Sequence, residues 1–204
     1  MEQFTGTRPV ADAQAFDLAA LAAWLESRLP GFSGPLSVEQ FKGGQSNPTF
    51  KLITPGTTYV MRAKPGPVAK LLPSAHAIER EYRVMAALRP QGVPVPEMLA
   101  LCEDEAVLGR AFCVMSFVEG RVLWNAERSA IYDEMNRVIA ALHKVDVQAA
   151  GLADYGKPGN YFERQIGRWS KQYVASITEP IEAMDRLMQW LPAHMPASAR
   201  DERQ

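Results

Sequence analysis

Residues 41–50 read FKGGQSNPTF, a pair of glycines and a short polar run between apolar residues. The following residues, TFKLI at 49–53, have the aromatic and β-branched character of a strand, so the glycines predict a turn between two strands. A Walker loop or a dinucleotide fingerprint is excluded, because both pass from a strand directly into a helix. Two interpretations remain open: an ordinary hairpin turn, or a glycine-rich cover whose backbone N–H groups approach nucleotide phosphates.

A phosphate cover of this kind requires a cation on the third strand and a carboxylate from the next helix. The third strand reads YVMRAKP at 59–65, and alternation of its side chains places Arg62 on one face and Met61 on the other. Either Arg62 or Lys64 could point beneath the glycine turn, and we favour Arg62. The alternative is a solvated basic residue on an exposed strand face.

The helix predicted over residues 76–90 supplies the carboxylate. Its apolar residues form one stripe at helical spacing: Ile78, Tyr82, Met85 and Leu88. Glu81 falls inside this stripe, where a carboxylate is costly unless a cation meets it, and Arg62 is the nearest candidate. Glu79 and Arg80 lie off the stripe and are interpreted as solvated surface charges. His76 is interpreted as a capping or surface residue without a role.

The segment CVMSFVEG at 113–120 could form an apolar slot for a purine. In that arrangement Met115 flanks the slot, and the carbonyl of Ser116 and the N–H of Val118 hydrogen-bond the purine edge. Gly120 then allows the backbone to leave the sheet. The alternative is a buried strand that simply ends here.

The composition excludes several classes of protein. The 204 residues include 22 basic and 23 acidic side chains, and this balance favours neither nucleic acid nor an anionic membrane as a partner. No leader or membrane-spanning run is evident, so we expect a cytoplasmic protein. Cys102 and Cys113 lie in apolar runs and are predicted to be small buried side chains. We propose no zinc site.

The order of predicted elements indicates an α+β fold with a small antiparallel sheet of five strands and one main helix. An entry helix capped by Asp17 comes first, and Ser74 is predicted to cap the helix over 76–90. The five strands are predicted at 36–42, 49–53, 58–63, 98–102 and 111–118. Later segments are helical, at 126–144, 161–175 and 180–191. The predicted divisions are a lead-in at 1–35, a sheet-containing lobe at 36–119 and a helical lobe at 120–204, with the linker near Gly120.

Six ordered segments together resemble the aminoglycoside phosphotransferase-like kinases. They read GGQSNPTF, YVMRAKP, LLPSAHAIEREYRVMAAL, GVPVPEMLALCED, FCVMSFVEGRV, and LHKVD with GLADYG. The chain is similar, more narrowly, to the branch that includes the N-terminal part of acyl-CoA dehydrogenase family members 10 and 11. The resemblance implies a protein-kinase-like fold, ATP and magnesium as cofactors, and phosphorylation of a hydroxyl on a small molecule, which in this branch is a hydroxy acid or a hydroxyacyl-CoA. It implies these nucleotide-binding residues: Gly43, Gly44, Gln45, Ser46, Asn47, Arg62, Glu81, Met115, Ser116 and Val118.

The sequence departs from this family in its catalytic segment. The family has HGDxxxxN followed by a metal-binding aspartate, and neither follows His194 or occurs elsewhere in these residues. We therefore expect a truncated, incomplete helical lobe, with no catalytic residue and no metal ligand assigned, and a polypeptide that is inactive alone. A nucleotide-binding or docking module is the alternative, with possible self-association through the unfinished helical face. A scaffold in which Arg62 and Glu81 are only a structural pair is the third hypothesis.

Overall fold

The computed structural model describes residues 5–43, 47–66, 76–120, 128–157 and 159–200. The chain divides into two compact units, Met1–Asp146 and Val147–Gln204. The strands are β1 Thr7–Arg8, β2 Ser37–Phe41, β3 Thr49–Ile53, β4 Thr58–Ala63, β5 Met98–Cys102 and β6 Phe112–Ser116. The α-helices are α1 Leu18–Arg28, α2 Ile78–Leu88, α3 Glu105–Leu108, α4 Arg128–His143, α5 Tyr161–Ser176 and α6 Glu182–Ala193.

The first unit contains one six-stranded sheet in the order β1-β2-β3-β4-β6-β5, with antiparallel neighbours throughout. The α+β class predicted from the sequence is confirmed, but the expected number of five strands is wrong. The additional strand is the two-residue β1, in which Thr7 and Arg8 pair with Phe41 and Gln40 at the edge of β2. Two residues cannot show the period of two that identifies a strand in a sequence.

One face of the sheet packs against α1. The Asp17 carboxylate accepts hydrogen bonds from the N–H groups of Ala19 and Ala20, at 2.8 and 3.0 Å, and so caps this helix as predicted. Leu21 and Leu25 of α1 are fully buried among strand residues. Those strand residues, which belong to the same cluster, are Phe50, Leu52, Met61, Ala63, Phe112 and Val114. The α1 side therefore holds the larger hydrophobic core.

The other face of the sheet packs against α2. The predicted stripe is confirmed, because Ile78 is fully buried and Tyr82 and Met85 pack with it against Cys113 and Met115. The helix begins at Ile78 rather than at the predicted residue 76. His76 has a left-handed backbone with φ of 63°, which a helix cannot include. The predicted cap, Ser74, lies outside the described residues.

The second unit contains α5 and α6, and both predicted helical segments are confirmed. The predicted lobe boundary near Gly120 marks a change in composition, whereas the compact units divide after Asp146 and so group α4 with the sheet. Composition shows where helices begin but not which neighbours they pack against. Among the described residues, no helix has the length and apolar character needed to cross a membrane.

Candidate functional site

Strand β4 places Arg62 on the face of the sheet that α2 covers. Burial alternates along this strand, with Tyr59, Met61 and Ala63 buried and the residues between them only partly buried. Since successive side chains of a strand point to opposite faces, Arg62 lies on the face opposite the α1 core. This is the orientation predicted from the sequence.

Arg62 and Glu81 form an ion pair. The Nε–H of Arg62 donates to Oε2 of Glu81 across 2.9 Å, and the two side chains are 31% and 33% exposed. The pair therefore keeps contact with solvent while it joins the sheet to α2. Opposite charges so exposed add little to stability, so their value lies in holding the guanidinium in one position.

Thr49 extends this pair toward the glycine-rich turn. Its position on β3 is directly opposite Arg62, and its hydroxyl lies 3.5 Å from Nη1 of Arg62. The same hydroxyl donates to the backbone carbonyl of Asn47 across 3.3 Å. A chain of polar contacts thus leads from Glu81 through Arg62 and Thr49 to the end of the turn.

The turn itself is described only at its two ends. Gly43 is half-buried and Asn47 is buried, with 6% of its surface exposed. Gly44, Gln45 and Ser46 lie outside the described residues. Their predicted contact with phosphate stays a prediction.

The sequence predicts no role for His76 and favours Arg62 over Lys64 as the cation beneath the turn. Both side chains nevertheless make contacts close to the site. His76 Nδ1 lies 2.8 Å from Oδ1 of Asn47, so His76 is neither a free surface residue nor a helix cap. Lys64 Nζ lies 3.3 Å from Oε2 of Glu79, whose side chain is 38% exposed, so the surface charge predicted at Glu79 has a partner that the sequence did not indicate. Both contacts join residues distant in sequence, and no local spacing could have indicated them.

The predicted purine-binding residues follow β6 along the same sheet. Met115 is directly opposite Val60, while Cys113 is opposite Arg62, so Met115 lies one step further along this face. Met115 is buried in the α2-side cluster, whereas Val118 is 65% exposed beyond the strand. Met115 and Val118 therefore differ greatly in access to solvent.

Ser116 and Phe117 show how the end of β6 is held. The hydroxyl of Ser116 accepts from the N–H of Glu97 across 2.9 Å, and the N–H of Ser116 donates to the Glu97 carbonyl across 2.8 Å. The Nζ of Lys51 lies 5.0 Å from the centre of the Phe117 ring, a cation–π contact that the sequence did not indicate. A second cation, Lys51 of β3, thus lies near the end of β6.

Both cysteines are free and buried, as predicted. Desolvation, followed by the negative charge of Glu81, raises the pKa of Cys113 to about 12. Burial also raises the pKa of Cys102. Thiols with such pKa values are not nucleophiles at neutral pH, so neither cysteine is a candidate for catalysis.

The second unit contains apolar grooves on its two helices. One groove lies between α5 and α6 and is lined mainly by Phe162, Ile166, Trp169, Met184, Leu187 and Leu191. Within the described ranges, no three His, Cys, Asp or Glu side chains are arranged to hold a metal ion. The charged site therefore consists of the sheet and α2.

An antiparallel sheet with a strand cation paired to a helix glutamate is the arrangement of kinase folds, where the cation is a lysine; here Arg62 stands in that place. The chain belongs to the phosphotransferase enzyme family (APH), which matches residues 37–204. A crystal structure from Ralstonia eutropha, assigned as an aminoglycoside phosphotransferase, is similar with a TM-score of 0.76 and 64% sequence identity. The similarity covers 92% of this chain and 56% of that one.

Acyl-CoA dehydrogenase family members 10 and 11 are among the similar curated proteins. Mouse member 10 is 45% identical over 203 residues, covering 95% of this chain and 19% of its own length. Human member 11 is 40% identical, covering 92% of this chain and 25% of its own length. Arabidopsis thaliana contains another relative, probable acyl-CoA dehydrogenase IBR3, with 42% identity and coverage of 92% and 25%. The chain thus spans about a quarter or less of these relatives.

Proposed function

We propose that this chain binds ATP with magnesium on the α2-covered face of its sheet, as the nucleotide-binding part of a small-molecule kinase. The Arg62–Glu81 pair is the observation that carries the proposal. Kinase folds use a strand cation, fixed by a helix carboxylate, to hold nucleotide phosphates. Membership of the phosphotransferase enzyme family supports the same reaction class.

The donors that Arg62 presents fit a phosphate group. Its Nε–H is used by Glu81 and its Nη1 lies near Thr49, while Nη2 has no partner among the described residues. A guanidinium with an Nη2 group that makes no contact in the described part of the chain, and with about a third of its surface exposed, can bind a phosphate oxygen without losing its carboxylate partner.

The remaining predicted contacts are proposed for the glycine-rich turn and for the end of β6. We assign the backbone N–H groups of the turn from Gly43 to Asn47 to the phosphates. Met115 would flank the purine, and the Ser116 carbonyl and the Val118 N–H would hydrogen-bond its edge. Exposure of Val118 leaves its backbone accessible for that contact.

Bound magnesium ATP would supply the transferable phosphoryl group. The residues described above bind and orient, but none is placed to take a proton from an acceptor hydroxyl. The sequence has no HGDxxxxN segment. We therefore propose that these 204 residues bind nucleotide but turn over negligibly, and that the catalytic base and the metal ligands are not among them.

The acceptor is proposed to be the hydroxyl of a hydroxy acid or a hydroxyacyl-CoA. The similarity to acyl-CoA dehydrogenase family members 10 and 11 supports this acceptor class, because the names of those proteins refer to acyl-CoA chemistry. A kinase assay on a longer chain that contains an HGDxxxxN segment, with hydroxyacyl-CoA and free hydroxy acids as acceptors, tests it. Phosphorylation of aminoglycosides alone would contradict it.

Calorimetric titration of the 204-residue chain tests nucleotide binding. We expect magnesium ATP to bind and Arg62→Ala to weaken it about 10- to 100-fold, because a charged hydrogen bond contributes about 1.5–3 kcal/mol. Arg28→Ala, which removes the same charge from an exposed position at the end of α1, is the matched control and should leave the affinity unchanged. Absence of binding by the wild type, or equal affinity of Arg62→Ala, would contradict the proposal.

Docking of a second copy of the chain is the other candidate role. It is favoured by the exposure of large apolar side chains in the second unit, including Phe162 at 50% and Trp169 at 61%. Light scattering at increasing protein concentration tests it. A monomer at every concentration would exclude this role.

A further inference from the structure

His76 has a left-handed backbone conformation. Its φ is 63°, a region that few residues other than glycine adopt and in which histidine, asparagine and aspartate are enriched among the others. It immediately precedes the first turn of α2, whose N-cap residue, Ala77, has no side chain able to cap the helix. Capping therefore does not explain the left-handed backbone. What this backbone accompanies is a side-chain contact of His76.

That contact is with the buried residue that ends the glycine-rich turn. His76 Nδ1 lies 2.8 Å from Asn47 Oδ1, and Asn47 is only 6% exposed. Because an amide oxygen only accepts hydrogen bonds, Nδ1 carries the proton and donates it. Removal of this donor would leave a buried oxygen without its partner, which is costly.

Asn47 is also attached to the strands that carry the Arg62 site. Its carbonyl accepts from the Thr49 hydroxyl across 3.3 Å. The carbonyl of the next residue, Pro48, accepts from the N–H of Ala63 across 3.0 Å, beside Arg62 on β4. The end of the turn is thus fixed to the strand that holds the cation.

Helix α2 and the segment that leads into it consequently make two polar connections to the same site. Glu81 holds Arg62 at 2.9 Å, and His76, five positions earlier, holds Asn47 at 2.8 Å. One connection positions the cation and the other positions the end of the turn. A shift of α2 would change both, so the distance between cation and turn depends on the pair of contacts acting together.

We propose that His76 is a positioning residue for phosphate binding, acting through Asn47 on the glycine-rich turn. This inference rests on the proposed function, because it assigns a role within the same nucleotide site. His76 need not contact the nucleotide. Its effect is expected on the phosphate part of the ligand and not on the adenosine part.

The test compares affinities of the 204-residue chain for magnesium ATP and for adenosine. We expect His76→Ala to weaken magnesium ATP about tenfold and to leave adenosine unchanged. His76→Asn should restore affinity, because its side-chain N–H occupies the place of Nδ1 and asparagine tolerates a positive φ. A merely structural role would lower the melting temperature without changing the ratio of the two affinities.

His76→Gly separates the backbone from the side chain. Glycine accepts the left-handed conformation without strain but has no donor, so we expect a folded protein with the weak magnesium ATP affinity of His76→Ala. If the wild type binds magnesium ATP and both variants bind it equally well, the role of His76 is refuted while the proposed function stands. If the wild type does not bind, the proposed function itself fails and this inference fails with it.

Discussion

The two faces of the antiparallel sheet are built from adjacent residues of the same strands but differ in chemistry. On the α1 side, Phe50, Met61 and Phe112 are fully buried in the larger hydrophobic cluster. On the α2 side, Thr49 and Arg62 join a network of polar contacts that stays partly exposed. Because successive side chains of a strand point to opposite faces, buried apolar residues and partly exposed polar residues alternate along the same strands.

This difference indicates that the α1 side stabilises the fold, whereas the proposed nucleotide binding depends on the α2 side. Buried apolar area stabilises a fold in proportion to the water it excludes, whereas half-exposed ion pairs contribute little. Substitutions on the α1 side should therefore change the free energy of unfolding. Substitutions on the α2 side should chiefly change ligand affinity.

Met61→Ala should have the largest effect on stability. Met61 is fully buried, so its truncation leaves a cavity and should lower the free energy of unfolding by about 2–5 kcal/mol. Urea denaturation followed by circular dichroism measures the change. A loss no greater than that of Arg62→Ala, the neighbouring substitution on the other face, would remove the distinction between the faces.

Gln14→Ala should have the next largest effect, because it removes a partner of a buried cation. Arg110 is 4% exposed, burial lowers its pKa, and its Nη1 and Nη2 donate to the side-chain and backbone oxygens of Gln14 at 2.5 and 2.6 Å. We expect a loss of about 1.5–3 kcal/mol. Gln14→Glu, which supplies a carboxylate of similar size, is the control and should not destabilise the protein at neutral pH. Equal stability of Gln14→Ala and wild type would show that the side-chain oxygen of Gln14 does not stabilise the buried Arg110.

The buried thiol of Cys113 should make stability fall at alkaline pH. Its folded pKa is raised from 9.0 to about 12, so between these values the unfolded chain releases a proton that the folded chain keeps. The unfolded state is favoured as pH rises, by about 1.4 kcal/mol at pH 10 relative to neutral pH. Denaturant titrations of the wild type and Cys113→Ala at pH 7 and 10 isolate this contribution. The same pH dependence in both proteins would contradict it.

Glu81→Ala should have the smallest effect on stability. The Arg62–Glu81 pair is about one-third exposed at both side chains, and such pairs contribute up to about 1 kcal/mol. A double-mutant cycle with Arg62→Ala measures the coupling. A coupling above about 2 kcal/mol would mean that the pair is chiefly structural, as in the scaffold hypothesis.

The central strands could be predicted closely because their patterns are strong. The bounds predicted for β3, β4 and β5 are those observed, since β3 and β4 carry β-branched and aromatic residues next to turn signals and β5 is a short apolar run between Pro96 and an acidic turn. The stripe of α2 placed Glu81 toward the sheet, and its contact with Arg62 is confirmed. The roles of these residues in nucleotide binding stay predictions.

Other features depend on contacts that local spacing does not encode. Glu79 lies off the apolar stripe, yet Lys64 reaches it from the end of β4. His76 looked like the first residue of a helix, and only its positive φ and its contact with Asn47 distinguish it. In both cases the partner comes from a different element.

The sequence by itself determined the class of fold, the order of the longer strands and helices, and the side of the sheet on which Arg62 lies, while the family was indicated by the resemblance of six ordered segments. The fold features follow from periodicity and turn residues, which act over a few positions and do not identify the two-residue β1 or the four-residue α3. Only the tertiary structure decided that His76, just before α2, contacts Asn47 at the end of the turn, while Glu81 of α2 contacts Arg62 of β4. Such contacts depend on how α2 packs on the sheet, because distance and direction between elements are set by the whole core and not by either segment alone.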